Sequence, residues 1–179
     1  MIILGLDIST SITGVTLIDE EENILLCEAW DTRNKNKFPT IFHKARFIRE
    51  KLFGLGYPIS NVYIEQSLQS FRSGFSSAQT LSTLARFNGI ISWICFQELN
   101  RMPEYIAATT ARRLCGIKVS RGEKAKEKVL QFFLDNGNEI EYTRHENPKP
   151  GSYDRADSWI IAKAGLQLWK ENSRSLSRF

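Results

Sequence analysis

Histidine and cysteine are scarce. The chain has two histidines, His43 and His145, and three cysteines, Cys27, Cys95 and Cys115, with no Cys-x-x-Cys pair among them. An odd, scattered set of thiols far from either histidine argues against a zinc site and against a disulfide framework. Reduced, structural thiols are expected instead. No apolar run approaches the roughly 20 residues that cross a bilayer. The apolar start, residues 1–6, meets Asp7 too early for a secretion signal. Internal repeats, low-complexity tracts and an interdomain linker are absent as well. The net charge of +4 and pI of about 9.0 come without a polybasic tail. That balance permits a nucleic-acid partner without requiring one. A single soluble domain of the cell interior is expected over residues 1–171, with a frayed tail over 172–179 of the 179 residues.

What is present is a regular order of elements. Residues 1–6 form a short Ile/Leu-rich run that suits a buried strand. Residues 15–18 and 23–30 predict two further strands, joined by the acidic stretch Asp19-Glu20-Glu21-Glu22, so that the three make an antiparallel meander. Phe38, Ile41, Phe42, Ala45, Ile48 and Leu52 have helical spacing, stopped at Gly54. A strand over 61–65 follows, then a loop over 68–77. A long helix over 78–99 buries Leu81, Leu84, Phe87, Ile91 and Ile94. Beyond it come a strand over 103–108 and a short helix to Leu114 capped by Thr109 or Thr110. A charged helix over 120–136 and a final helix over about 152–171 complete the chain. The order β-β-β-α-β-α-β-α-α-α predicts an α/β fold, a mixed sheet covered by helices on both faces.

Four carboxylates stand at the ends of these apolar elements. Asp7 closes the first strand and Glu65 the fourth; in a mixed sheet those strands can be parallel neighbours. Asp154 and Asp157, three apart, share a face at the start of the last helix. Taken singly, each has an ordinary reading as a turn residue, a cap or a surface pair. Together they form a set of hard oxygen donors suited to magnesium or manganese. Two such ions about 4 Å apart can serve both the attacking and the leaving oxygen of a phosphodiester.

The joint pattern Ile3-Leu4-Gly5-Leu6-Asp7 through Gly14, Ile64-Glu65-Gln66, Gly116-Ile117 with Glu123-Lys124, and Asp154-x-x-Asp157 resembles the RuvC-type Holliday junction resolvases. These belong to the ribonuclease H-like and integrase-like superfamily. The resemblance spans most of the chain, its four motifs fall in family order, and it is compatible with a phage-encoded member. It implies a ribonuclease H-like five-stranded sheet, three strands antiparallel and two parallel. It implies a homodimeric crossover junction endonuclease that places paired nicks in four-way and other branched DNA, in recombination, repair or replication. On the same ground Asp7, Glu65, Asp154 and Asp157 are the ligands of two Mg2+ ions, for which Mn2+ can substitute, and Lys124 lies near the cleaved phosphate. The cytoplasm of a bacterial or phage-infected cell is the compartment implied. Three departures stand out: Ser158 follows the second aspartate where alanine is usual, the aromatic expected after Gln66 has no positional match, and a second family lysine before Gly116 has no lysine counterpart, with Arg112 and Arg113 near its place.

Basic and aromatic residues complete the candidate site. Phe71, Arg72 and Phe75 are candidates for contact with unpaired bases and phosphate. Arg112, Arg113, Lys118, Arg121 and Lys124 are candidates for phosphate binding. Lys126 and Lys128 have the ordinary reading of an exposed helix face laced with Glu123 and Glu127, most clearly Lys128. Phe87, Ile91 and Trp93 offer apolar surface for a dimer, or ordinary core. Two competing functions are an ATPase of the actin-like and sugar-kinase superfold, for which the chain is short and the first loop lacks glycines, and a noncatalytic junction-binding relative.

Overall fold

A computed structural model describes residues 1–66 and 78–176. Three hairpin-linked strands come first: β1 (Ile2–Asp7), β2 (Ile12–Asp19) and β3 (Ile24–Asp31). Alternation follows, with α1 (Ile41–Phe53), β4 (Asn61–Glu65), α2 (Ala78–Leu99), β5 (Glu104–Ile106), α3 (Ala108–Leu114), α4 (Ala125–Asp135) and α5 (Ser152–Leu176). The strands form one sheet in the order β3-β2-β1-β4-β5. β2 is antiparallel to β1 and β3, while β4 is parallel to β1 and β5. The predicted element order and the mixed five-stranded sheet are both present.

Strand alternation sends side chains to two separate cores. Leu4, Leu6, Val62 and Ile64 pack with Ile48 and Leu52 of α1 and with Phe87, Ile91 and Cys95 of α2. Ile3 and Tyr63 face the other way and pack with α3, α4 and α5, including Ala111, Phe133, Trp159 and Ile161. Asp7 has the parity of Ile3, and Glu65 that of Tyr63. Both carboxylates therefore lie on the α5 side of the sheet.

Several local expectations need adjustment. The short helix α3 starts at Ala108 behind Ala107, which makes no side-chain cap, so neither Thr109 nor Thr110 caps it. α4 begins at Ala125 rather than residue 120. Gly122 takes a left-handed backbone (φ 90°), and the Glu123 carboxylate accepts a hydrogen bond from the Ser120 amide at 2.7 Å, holding the preceding residues in a turn. α5 runs on to Leu176, five residues into the expected tail. Leu81 and Leu84 are only half-buried, while Phe87, Ile91 and Ile94 are core. Among the described residues no helix is long and apolar enough to cross a membrane.

Candidate active site

Two glycines decide where α5 lies. Gly5 on β1 and Gly14 on β2 carry no Cβ on the face that meets this helix. A Cβ at Gly5 would stand 2.5 Å from both the Ala162 amide nitrogen and the Ser158 carbonyl oxygen. One at Gly14 would stand 1.9 Å from the Asp154 carbonyl oxygen. The stripe Asp154, Ser158, Ala162 thus rests on bare sheet backbone. Gly14 is paired with Asp7 across the β1–β2 ladder, so the first turn of α5 is delivered directly over that strand end. Ser158 is buried, and its hydroxyl lies 2.8 Å from the Thr16 hydroxyl and donates to the Arg155 carbonyl at 2.9 Å. The serine in place of alanine therefore pins α5 to β2 with a satisfied buried hydrogen bond.

On the other flank, Leu6 pairs with Ile64 in the parallel ladder, which sets Asp7 beside Glu65 at the strand ends. All four carboxylates share one electrostatic neighbourhood. Burial, then the charges of Glu65, Asp157 and Asp154, hold the Asp7 carboxyl well above its ordinary range. Burial and the Asp157 charge push Glu65 up to about 7. Asp157 is pushed up to about 6, chiefly by burial with Asp154 adding to it, and burial also raises Asp154. Such acids are strained as anions and gain from a nearby multivalent cation. Among the described residues no three His, Cys, Asp or Glu side chains are already drawn into a metal cage. The donor chemistry fits a hard cation nonetheless: oxygen ligands only, partly buried and mutually repelling.

No protein-family model matches the chain, and no curated protein matches it in sequence. Solved structures do match. RuvC of Thermus thermophilus in complex with a Holliday junction substrate superimposes over 95% of this chain and 96% of its own, with a TM-score of 0.64 at 11% identity. The yeast mitochondrial Holliday junction resolvase aligns over 92% of this chain and 77% of its own, with a TM-score of 0.59 at 14% identity. The fowlpox virus resolvase, solved with Holliday junction DNA, aligns over 94% and 99%, with a TM-score of 0.57 at 17% identity. The chain has the fold of the RuvC-type resolvases.

Within this RuvC-type fold the basic residues sort differently from their order in sequence. Lys124, at the N-terminal boundary of α4, is 77% exposed and bonded to Glu127 at 2.8 Å. Lys128 pairs with Glu123 at 2.7 Å. Lys124 is the non-helical cap residue, whereas Lys126 lies in the first turn of α4. Lys126 precedes Val129, Leu130 and Phe133 by three, four and seven residues, so it stands, exposed, at the N-terminal end of the stripe that packs against α5. Its charge acts on Asp7, Glu65, Asp154 and Asp157, lowering each, and it has no ion-pair partner of its own among the described residues. Lys126, whose ordinary reading from sequence is an exposed helix charge, is the cation that acts on all four acids, and its phase relative to Val129, Leu130 and Phe133 is visible in the sequence. Arg112 acts in the same way on Glu65 and Asp157. Arg113 and Lys118 line a shallow groove of about 280 Å³ with Arg112 and Thr109, and Arg121 is exposed in the turn before α4. Phe71, Arg72 and Phe75 fall outside the described residues.

Proposed function

We propose that this chain is a divalent-metal-dependent, structure-selective endonuclease that resolves four-way and other branched DNA junctions by paired nicks. The observation that carries the reading is the convergence of Asp7, Glu65, Asp154 and Asp157, from two strands and one helix, into one self-repelling acidic cluster at the strand ends of a RuvC-type fold. Those four residues would hold two magnesium or manganese ions, which when bound supply a Lewis acid and an activated water for attack on phosphorus. The protein's own part is positioning. The Gly5 and Gly14 contacts fix the α5 carboxylates over the strand carboxylates, and Lys126 and Arg112 set positive charge beside them to hold the phosphodiester against an acidic site. The resolvases from Thermus thermophilus and fowlpox virus were solved with Holliday junction DNA, which supports the same substrate class here. A homodimer is the matching assembly. Phe87 and Ile91 are spent in the core, so its apolar contact falls to the exposed Trp93 and Phe96 of α2.

The test is cleavage of four-way, three-way, flap and linear substrates in magnesium, in manganese and in chelator. Paired nicks in the four-way junction, abolished by chelator, are expected. Tight junction binding with no cutting under either ion would leave the noncatalytic reading, and DNA-independent ATP hydrolysis would restore the kinase-like one. The described residues form a single sheet without the second lobe that the latter requires.

Lys126 gives a sharper test within this reading. Lys126→Ala is expected to slow single-turnover junction cleavage by about 10²-fold, the usual order for losing one preorganised charge at a reacting phosphate. Lys124→Ala, whose ammonium is occupied by Glu127, should stay within about twofold of wild type. Equal losses in both variants, or a larger loss at Lys124, would reverse the assignment.

A further inference from the structure

The carboxyl ends of β1, β3, β4 and β5 all point to one end of the sheet, where β2 begins. The acidic cluster sits at the middle of that end, with Arg112 on α3, the helix that directly follows β5, and with the Lys126 charge reaching all four acids from α4. On the opposite side, β3 ends at Asp31 and the chain runs on as Thr32-Arg33-Asn34-Lys35-Asn36-Lys37 into α1. This segment and the first turn of α1 carry four cations, Arg33, Lys35, Lys37 and Lys44, against one carboxylate, Asp31.

The segment is held in place. The buried Thr32 donates from its amide to the Ser11 carbonyl at 2.8 Å and from its hydroxyl to the same oxygen at 3.2 Å, tying it to the β1–β2 turn beside Asp7. The Asn34 side chain accepts from the Asn36 amide at 3.0 Å, and its carbonyl accepts from the Phe38 amide at 2.8 Å. Phe38 is buried against Phe47, with ring centroids 5.1 Å apart, and anchors the far end. Lys44 donates to the Thr10 carbonyl, which ties α1 to the same turn. Arg33 binds both oxygens of Asp31, and the Arg33 charge reaches Asp154. The Asp31 charge acts on Lys44 as well, and Lys37 lies over the Phe38 and Phe47 rings, so Lys35 is the cation here without a carboxylate in ion-pair range among the described residues. Lys44 is lowered by burial and then by the Lys35 charge, with the Asp31 charge opposing, so the field of Lys35 reaches the tethered Lys44. Lys35 is exposed. Fixed, mutually repelling cations beside an acidic centre gain most from a polyanion that spans both.

We propose that the segment from Thr32 to Lys37 is a second phosphate clamp, which grips the DNA backbone on the β3 side of the cluster while Arg112 and Lys126 grip it on the β5 side. The inference rests on the nuclease reading and deepens it. Five strands at about 4.8 Å spacing separate the β3 and β5 edges by about 20 Å, and one DNA strand covers that distance in about six nucleotides at 3.4 Å each. The substrate strand thus crosses the sheet end from β3 to β5, with the cleaved phosphate near the middle of the footprint.

The test uses the full chain with Asp7→Asn in every sample, so that DNA binds uncut, and titrates a labelled four-way junction by fluorescence anisotropy across a salt series. Lys35→Glu is expected to weaken binding by about 5–10-fold near 0.1 M salt and to lower the log–log salt slope by about 1–2. Lys35→Ala should fall between, and Lys35→Arg should restore wild-type behaviour. Lys170→Glu changes net charge equally, but far along α5 from the strand ends, and should lose less than about twofold. Unchanged affinity and slope in Lys35→Glu, or an equal loss in Lys170→Glu, would overturn the clamp while leaving a junction-cutting parent intact. A parent protein that neither cuts nor binds junctions would overturn the nuclease reading itself.

Discussion

Asp7→Asn is expected to lower junction cleavage in magnesium by about 10³-fold, or roughly 4 kcal/mol of barrier, while leaving junction binding within about twofold. Asp7 lies between Glu65 on the neighbouring strand and Asp154 and Asp157 on α5, and all three raise it. It is the carboxylate on which the others converge. The amide keeps the shape and removes the charge that a divalent cation needs. Undiminished cleavage by this variant would sink the metal-site assignment.

The same substitution should act on stability in the opposite direction when chelator is present. An unfolded aspartate titrates near 3.9. In the fold Asp7 is raised, with Asp157 near 6 and Glu65 near 7. Between the unfolded and folded values the native state holds more protons, so stability falls as pH rises through that window. Tm in chelator is therefore expected to drop from pH 5 to pH 8. Asp7→Asn should raise Tm by several degrees at pH 8 and change it little at pH 4. Magnesium should raise the wild-type Tm at pH 8 and do so far less in the variant. Thermal melts at the two pH values check the sign. A variant less stable than wild type at pH 8 in chelator would show that these charges do not repel one another as described.

The second large effect is expected at a residue with no side chain. Gly14→Ala places a methyl group 1.9 Å from the carbonyl oxygen and 2.5 Å from the carbonyl carbon of Asp154. Those are helix backbone atoms and cannot swing aside as a flexible side chain would. α5 must lift from the sheet, separating Asp154 and Asp157 from Asp7 and opening the Thr16–Ser158 hydrogen bond. A loss of more than about 3 kcal/mol is expected in urea unfolding, close to a 10 °C fall in Tm, together with loss of cleavage in whatever fraction stays folded. Gly89→Ala is the matched control. It lies inside α2 with nothing within 4 Å of its added Cβ, and should stabilise by up to about 1 kcal/mol. Equal behaviour of the two alanines would refute the close approach of α5 to β2.

Much of this architecture could be read from the chain. The unbroken apolar runs Ile3-Leu4-Gly5-Leu6 and Val62-Tyr63-Ile64 mark strands buried on both faces, and each ends on its carboxylate because a charge cannot continue into the core. The spacing of Asp154 and Asp157 puts them on one helical face before any fold is known. Less was legible in the basic segments. Lys124, Lys126 and Lys128 are chemically alike within five residues of sequence, and only the start of α4 at Ala125 separates them by direction. That start was displaced by Gly122, whose left-handed backbone is a turn signal that the charged periodicity around it obscured.

The sequence by itself determined the order of the elements, the two-faced strands and the place of four carboxylates at the ends of apolar elements, because periodicity and the cost of burying charge are local properties of a chain. Only the tertiary structure decided that α5 lies on bare glycine backbone, that the charge of Lys126 reaches all four acids, and that the segment after β3 shares their end of the sheet. Those are relations between residues far apart in sequence. They are fixed by which surfaces can approach closely enough to exclude water, and no local pattern encodes that.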